Sequence, residues 1–441
     1  MQLTAPIVVQ VASLLVVGLT LLTSVVSLFG VIGRVLRKRQ QGALDKQAFL
    51  LRLEEARVAV GRKKHQADLS WEGWRKFVVE SRAPACPDGK IVSFHLRPHD
   101  GRPLPDFHPG QFLTFQLDIP GQKKPVIRCY SLSDAPSEER FRVSIKKLEL
   151  PDRNGLASGF FHEQVKVGDL LDVKAPAGKF FLDLTRRSPA VLVGGGVGVT
   201  PMISMFTAIS RKQPDRTVWL FYGIRHGTEV IDRQRLEAYA AGKPTMRLVF
   251  CYSDPTDQEL PLINKSAAEY QAAGKFMSQS AHAGRRIGVD LIRRLLPTDA
   301  QDTHEFFVCG PGPMMLSVTD DLKAWGVPEN HIHTEAFGPS SVSKTKRYKP
   351  VSDLGAATPQ ITFAKSGRTI PWNAEAECLL RLAEQNDIEI PSGCWAGDCH
   401  TCKVAIRSGE ISYLKDPSDK PEPGTALLCI AAPVNNLTID A

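Results

Sequence analysis

From Ile7 to Gly33 the chain is almost unbroken apolar sequence ("IVVQVASLLVVGLTLLTSVVSLFGVIG"), and no charged residue precedes Arg34. About 20 apolar residues cross a bilayer core as one helix, so residues 1–33 are predicted to be a membrane anchor. Downstream the pattern changes three times. Residues 74–184 read as short alternating runs broken by turns ("GKIVSFHLRPHDG", "GQFLTFQLDIPG", "RFRVSIKKLE", "GDLLDVKAPAG"), which predicts a small antiparallel β-barrel. Residues 185–338 alternate apolar strands ("AVLVGG", "VWLFYG", "MRLVFCY", "EFFVCG") with helical stretches, the pattern of an α/β domain with a parallel sheet. The stretch 264–286 inside it reads as a loop, with a partner-docking insertion as the alternative. Residues 339–358, rich in Ser, Pro and Lys and without apolar periodicity, read as a linker. Residues 359–441 form a last compact unit with two strand-like runs, a helix ("AEAECLLRLAEQND") and a cysteine loop. The expected architecture is multidomain.

Charge refines this picture. Residues 34–64 hold ten Lys or Arg against three acids, which accounts for nearly all of the net charge of +8, so the basic balance is no argument for nucleic acid. Arg34, Arg37, Lys38 and Arg39 follow the apolar span directly. By the positive-inside rule the N-terminus lies outside and everything downstream is cytoplasmic. Residues 34–73, including "LDKQAFLLRLEEARVAV", are expected to form a basic juxtamembrane helical stalk at the anionic inner leaflet. Nine cysteines in 441 residues do not make a disulfide scaffold, and Cys86, Cys129, Cys251, Cys309 and Cys378 read as small buried residues.

Each block carries its own chemistry. "AVLVGGGVGVTPMISMFTAI" is a strand, a glycine-rich turn and a helix in succession, a place where backbone can approach a diphosphate at a helix N-terminus. "FFVCGPGPMM" repeats the strand-to-helix turn. In the barrel block "RCYSL" sets a cation, an aromatic and a hydroxyl side by side, and "NGLASGFF" supplies a second phosphate cradle, so that this block is fitted to hold a flavin. Cys394, Cys399 and Cys402 have the spacing C-x4-C-x2-C, with Cys429 27 positions further on. That is the plant-type arrangement for a 2Fe-2S cluster. Zinc is the rival reading, although structural zinc favours paired C-x2-C knuckles and here there is one. His400 is read as a neighbour of the ligands and Cys378 as core.

Taken together, these motifs resemble the ferredoxin-NADP reductase superfamily, in the form that carries a plant-type ferredoxin domain after its flavin and nicotinamide domains. The resemblance covers about Trp74 to Ala441. It implies a β-grasp ferredoxin fold for the last unit. It also implies that Phe112, Arg128, Cys129, Tyr130 and Ser131 contact the flavin, with the Arg at its phosphates, the Tyr on its ring and the Ser near N5. Gly155, Leu156, Ala157 and Ser158 resemble the flavin diphosphate turn; Gly195, Gly196, Val197, Gly198, Val199, Thr200 and Pro201 resemble the nicotinamide-phosphate turn. Cys309, Gly310 and Pro311 resemble the string bordering the nicotinamide. "EAFGPSS" is similar to the ending of the flavohaemoglobin reductase module, which places Glu335, Phe337 and Gly338 at the flavin face and favours FAD over FMN. His400 stands where many family members have Gly. Ser131, Cys309 and Glu335 are expected to surround the hydride path.

The expected cofactors are therefore FAD, a 2Fe-2S cluster and NADH, with NADPH as the alternative. Arg225 follows "FYG", but Asp254 and Asp257 stand after Ser253, where a 2'-phosphate would need a cation, and this favours NADH. The expected function is electron delivery from NADH through FAD and the cluster to a partner oxygenase, hydroxylase or desaturase at the same membrane. Quinone reduction and a low-turnover redox sensor or scaffold are the alternatives.

Overall fold

The computed structural model describes residues 68–149, 155–273, 280–337, 358–417 and 420–441, with isolated positions between 18 and 57. The expected anchor apart from Gly18, Leu19, Thr20, Leu22, Thr23 and Ser27, most of the stalk, Gly338 and all but the last residue of the linker lie outside the described residues. Among the described residues no helix is long and apolar enough to cross a membrane. The chain divides into two compact units, Met1–Asp68 and Leu69–Ala441, and every strand among the described residues belongs to the second.

Six antiparallel strands form the first sheet: β1 (Arg75–Pro84), β2 (Ile91–Pro98), β3 (Phe112–Leu117), β4 (Val126–Ser131), β5 (Phe141–Lys146) and β6 (Leu170–Val173). Their order is β4-β3-β6-β1-β2-β5. The two ends meet through a Leu132–Val143 bridge and a bond from the Ser133 N–H to the Arg142 carbonyl at 2.8 Å, which closes the barrel. Alternate residues point inward, so Phe77, Phe94, Phe115 and Phe141 fill it, each worth roughly 1.5–3 kcal/mol when fully buried. Helix α1 (Leu156–Glu163) adds Phe161, whose ring meets Phe94, Phe115 and Tyr130 at centroid distances of 5.3, 5.4 and 5.3 Å. Trp71 packs here too, donating its indole N–H to the Val173 carbonyl.

The second sheet is parallel, in the order β10-β9-β8-β7-β11-β12. Its strands are β7 (Ala190–Gly195), β8 (Val218–Ile224), β9 (Met246–Tyr252), β10 (Ser280–Ala283), β11 (Glu305–Cys309) and β12 (Ile332–Glu335). The central four read as apolar runs because they are buried on both faces. The edge strands "SAHA" and "IHTE" are short and more polar, and the sequence pattern misses both. The stretch expected as a loop over 264–286 is instead helix α3 (Leu260–Ala273) and then β10. Helix α2 (Val199–Lys212) follows β7 and is buried from Val199 to Ser210.

Barrel and α/β domain are locked by a buried polar junction. Arg142 of β5 pairs with Asp232 at 2.5 Å, donates to Ser93 Oγ at 2.7 Å and to the Ser133 carbonyl at 3.1 Å, and is only 5% exposed. Ser204 of α2 donates to the Asp134 carbonyl at 2.7 Å.

The last unit is a mixed sheet, β14-β13-β19-β15-β17, with a β16-β18 pair beside it. Its strands are β13 (Gln360–Phe363), β14 (Arg368–Pro371), β15 (Lys403–Ser408), β16 (Ile411–Tyr413), β17 (Thr425–Leu427), β18 (Ala431–Pro433) and β19 (Leu437–Ile439), more than the two runs visible in sequence because most are three or four residues long. Leu379, Leu380 and Leu382 on a short helix (Leu379–Gln385) cover this sheet, and Cys378 is core, fully buried.

Candidate functional site

Strand β4 and helix α1 build a cleft of about 300 Å3. Arg128, Cys129, Tyr130 and Ser131 form one wall; Gly155, Leu156, Ala157 and Ser158 form another; Val197 and Thr200 reach in from the glycine-rich turn, and Phe337 closes an edge. Gly155 caps α1 without a side-chain bond, so the first-turn amides of Leu156, Ala157 and Ser158 have no intrahelical acceptor and are available to a diphosphate. Ser158 Oγ fixes the turn by accepting from the Leu148 N–H at 3.1 Å and donating to the Gly155 carbonyl at 3.2 Å. The Arg128 guanidinium is exposed, with one bond to the Ile127 carbonyl at 2.7 Å. Burial raises the Tyr130 hydroxyl well above its ordinary range, so it remains a neutral phenol. Phe112 pairs with Ser131 in the β3-β4 register and is buried against Gly178, behind the residues that line the cleft.

The second part lies where the strand order reverses, between β7 and β11. Gly194, Cys309 and Glu335 sit side by side across β7, β11 and β12. The turn Gly195–Gly198 and the Gly310–Pro311 turn pass backbone to backbone: a Cβ at Gly198 would stand 2.6 Å from Gly310 Cα and 2.7 Å from the Cys309 carbonyl. Only glycine allows that approach. Thr200 Oγ1 donates to the Val197 carbonyl at 2.9 Å, and Val199 and Pro201 are buried in the first turn of α2. Cys309 is fully buried, and burial, with the Glu335 charge behind it, raises its thiol far above the usual range.

Glu335 occupies an unusual place. Its Oε2 is buried and has no hydrogen-bond partner, and burial, reinforced by the nearby Asp398 carboxylate, pushes its pKa up to about 8. Asp398 belongs to the cysteine loop, so the end of β12 faces that loop.

Cys394 and Cys399 are in side-chain contact, and so are Cys402 and Cys429. The Ala396, Asp398 and Cys399 N–H groups point at Cys394 Sγ from 3.3, 3.3 and 3.4 Å, and the Cys394 N–H at Cys399 Sγ from 3.3 Å. To aim these donors inward the loop takes left-handed backbone at Trp395 (φ 58°), Gly397 (φ 81°) and His400 (φ 54°). His400 thus takes a left-handed conformation that is uncommon outside glycine and that histidine tolerates. Two pairs of soft thiols with inward N–H donors fit a two-iron cluster, which Cys394, Cys399, Cys402 and Cys429 would hold. Among the described residues no three His, Cys, Asp or Glu meet as a site for a single ion.

The structure gathers most of the expected residues into one continuous region. It adds residues that the sequence reading missed: Ser144, Ile145, Lys146 and Leu148 on the β5 side of the cleft, where the two-residue period of "RVSIKK" was the available signal. It also corrects Cys129, which is not an isolated core thiol but touches Cys399.

Three domain families match the chain: the oxidoreductase FAD-binding domain over residues 76–182, the oxidoreductase NAD-binding domain over 192–320, and the 2Fe-2S iron-sulfur cluster binding domain over 361–434. The flavohemoprotein of Bacillus thuringiensis subsp. konkukian is 34% identical over 274 residues, 62% of each chain, so this chain matches less than two thirds of that relative's length. The flavohem-like FAD/NAD-binding domain of nitric oxide dioxygenase from Vibrio cholerae aligns over 61% of this chain and 100% of its own, with 29% identity and a TM-score of 0.50. Phthalate dioxygenase reductase aligns over 84% of this chain and 98% of its own, with 21% identity and a TM-score of 0.50, a likeness of fold. The three domain matches and the flavohemoprotein relatives make this chain an NAD(P)H-dependent oxidoreductase that carries an FAD-binding domain, an oxidoreductase NAD-binding domain and a 2Fe-2S cluster-binding domain in one polypeptide.

Proposed function

We propose that this chain is a membrane-tethered reductase that takes electrons from NADH and delivers them singly, through FAD and its 2Fe-2S cluster, to a partner oxygenase, hydroxylase or desaturase. The observation that carries this reading is the packing of the cluster loop on the flavin strand: a Cβ at Gly393 would lie 3.3 Å from both Cys129 Sγ and Ile127 Cγ2. Flavin and cluster sites thus share a wall. Phthalate dioxygenase reductase is described as a modular structure for electron transfer from pyridine nucleotides to [2Fe-2S], and its fold spans this one. A self-sufficient cytochrome P450 monooxygenase contains the same fold over 41% of its length, with a TM-score of 0.54 and 22% identity.

FAD, when bound, supplies the conversion between a hydride and single electrons. The chain's own residues hold and orient the reactants. Arg128 would hold the flavin phosphates, Tyr130 and Ser131 would flank its ring, and the amides of Leu156 to Ser158 would receive its diphosphate. Gly195 to Pro201 would cradle the nicotinamide diphosphate, Cys309, Gly310 and Pro311 would border its ring, and Phe337 would cover the flavin. Glu335 keeps a proton on its buried carboxyl at neutral pH, so no negative charge stands beside the hydride path. Cys394, Cys399, Cys402 and Cys429 bind the irons.

NADH is favoured because the Arg225 guanidinium is already committed. It donates to Glu229 Oε1 from Nε at 2.8 Å and Nη2 at 2.5 Å, and Asp254 and the buried Glu259 stand close by. The apolar residues 1–33 and the basic run after them support a single-pass anchor with the catalytic domains in the cytoplasm. Tethering to the bilayer raises the effective concentration of a partner held there.

The test is anaerobic titration of the full-length protein with NADH and then NADPH, following flavin absorbance and the cluster by EPR, alongside flotation on anionic vesicles. Flavin bleaching, a reduced 2Fe-2S signal and co-flotation are expected. A flavin that stays oxidised with NADH overturns the donor assignment, and protein left at the bottom of the gradient overturns the anchor.

A further inference from the structure

Strand β4 stands between the flavin cleft and the cluster loop. Arg128, Cys129, Tyr130 and Ser131 line the cleft, and the Cys129 thiol also lies next to the Cys399 sulfur, both of them against Gly393. Behind Cys129, its register partner Thr114 on β3 brings Oγ1 to 3.4 Å from Cys129 Sγ. Gly393 is what lets the thiol through, since a Cβ there would lie 3.1 Å from Cys399 Sγ and 3.3 Å from Cys129 Sγ. The four ligand sulfurs are not served alike. Cys394 Sγ faces three backbone N–H donors, and Cys399 Sγ faces one, from Cys394.

We infer that Cys129 is a positioning residue for the cluster: its S–H donates to the Cys399 sulfur, with the Thr114 hydroxyl orienting it from behind, and this bond raises the reduction potential of the 2Fe-2S centre. The inference rests on the ligand assignment proposed above. Reduction adds one negative charge to a cluster whose charge is spread over its sulfurs, so a donor to sulfur stabilises the reduced form more than the oxidised form. The thiol keeps its proton and is neither oxidised nor reduced, while one electron passes from reduced flavin to cluster. A single donor from the flavin strand thereby ties the acceptor's potential to correct docking of the two domains.

The experiment is an EPR-monitored redox titration of the full-length protein and of its Cys129→Ala and Cys129→Ser variants. In Cys129→Ala the reduced-to-oxidised ratio at a fixed potential is expected to fall roughly three- to tenfold, tenfold being 59 mV for one electron. Cys129→Ser keeps a hydroxyl donor and is expected to stay within about threefold of wild type. A merely structural role gives the opposite sign, because loosened packing admits water to the cluster and stabilises its reduced state. An unchanged or raised potential in Cys129→Ala therefore overturns the inference. If that variant does not accumulate, Thr114→Val decides: a smaller fall in the ratio supports the bond, and no fall overturns it. Absence of any 2Fe-2S signal in wild type overturns the ligand assignment and this inference with it. A normal signal whose potential ignores Cys129 overturns the inference alone.

Discussion

Gly198, at the foot of helix α2, and Gly310, just beyond strand β11, are in backbone contact, so that a Cβ on Gly198 would stand 2.6 Å from Gly310 Cα. The obstacle is main chain on both sides and cannot rotate away. Gly198→Ala is expected to displace the nicotinamide turn, slowing flavin reduction by NADH at least about tenfold, with FAD content retained and about 1–3 kcal/mol of stability lost. Stopped-flow reduction and a thermal melt check both parts.

Cys429 is buried against Cys402, far in sequence from the other ligands. Cys429→Ser is expected to abolish the reduced-cluster EPR signal and to cut cytochrome c reduction by roughly 10- to 100-fold. Ferricyanide reduction, which draws on the flavin directly, persists. Equal loss with both acceptors would contradict the proposed order of electron transfer.

Glu335 carries a pH signature. Its folded pKa, raised to about 8, lies above the ordinary carboxylate value of 4.5, so between these limits the folded state holds a proton that the unfolded state has lost. Stability from this group is whole below about pH 4.5, declines as pH rises, and stops declining above about pH 8. The stability of Glu335→Gln relative to wild type should therefore increase from pH 5 to pH 8, which denaturant melts across that range will show. A constant difference would refute the buried protonated carboxyl.

Glu229 accepts two hydrogen bonds from the Arg225 guanidinium. Glu229→Gln weakens that clamp, and the NADH-to-NADPH ratio of kcat/KM is expected to narrow roughly tenfold, or about 1.4 kcal/mol. Steady-state kinetics with both nucleotides measure it.

Asp232 compensates Arg142 at the domain junction, where the arginine is 5% exposed. Asp232→Ala leaves that charge buried, and a loss of about 3 kcal/mol is expected. Urea unfolding checks it, and a loss below about 1 kcal/mol would mean that Ser93 and the Ser133 carbonyl suffice.

Local patterning makes much of this molecule legible from residue order alone. Phosphate-binding turns need glycine at fixed offsets between a strand and a helix, and a 2Fe-2S loop needs cysteines at fixed spacing, so Gly195–Gly198 and Cys394–Cys402 announce themselves over a dozen residues. Central strands such as "AVLVGG" are apolar throughout because both faces are covered. The edge strands β10 and β12 escape notice because an edge has fewer neighbours to satisfy and shows no such run.

What the chain by itself determined was the kind of each site, since each motif is local and its chemistry follows from residue type and spacing. Only the tertiary structure decided how the sites meet. Cys129 against Cys399 joins residues 270 positions apart, Arg142 meets Asp232 across two domains, and Glu335 faces Asp398. The reason is physical: hydrogen-bond and backbone preferences act over a few residues, whereas desolvation and close packing depend on which surfaces the whole fold brings together.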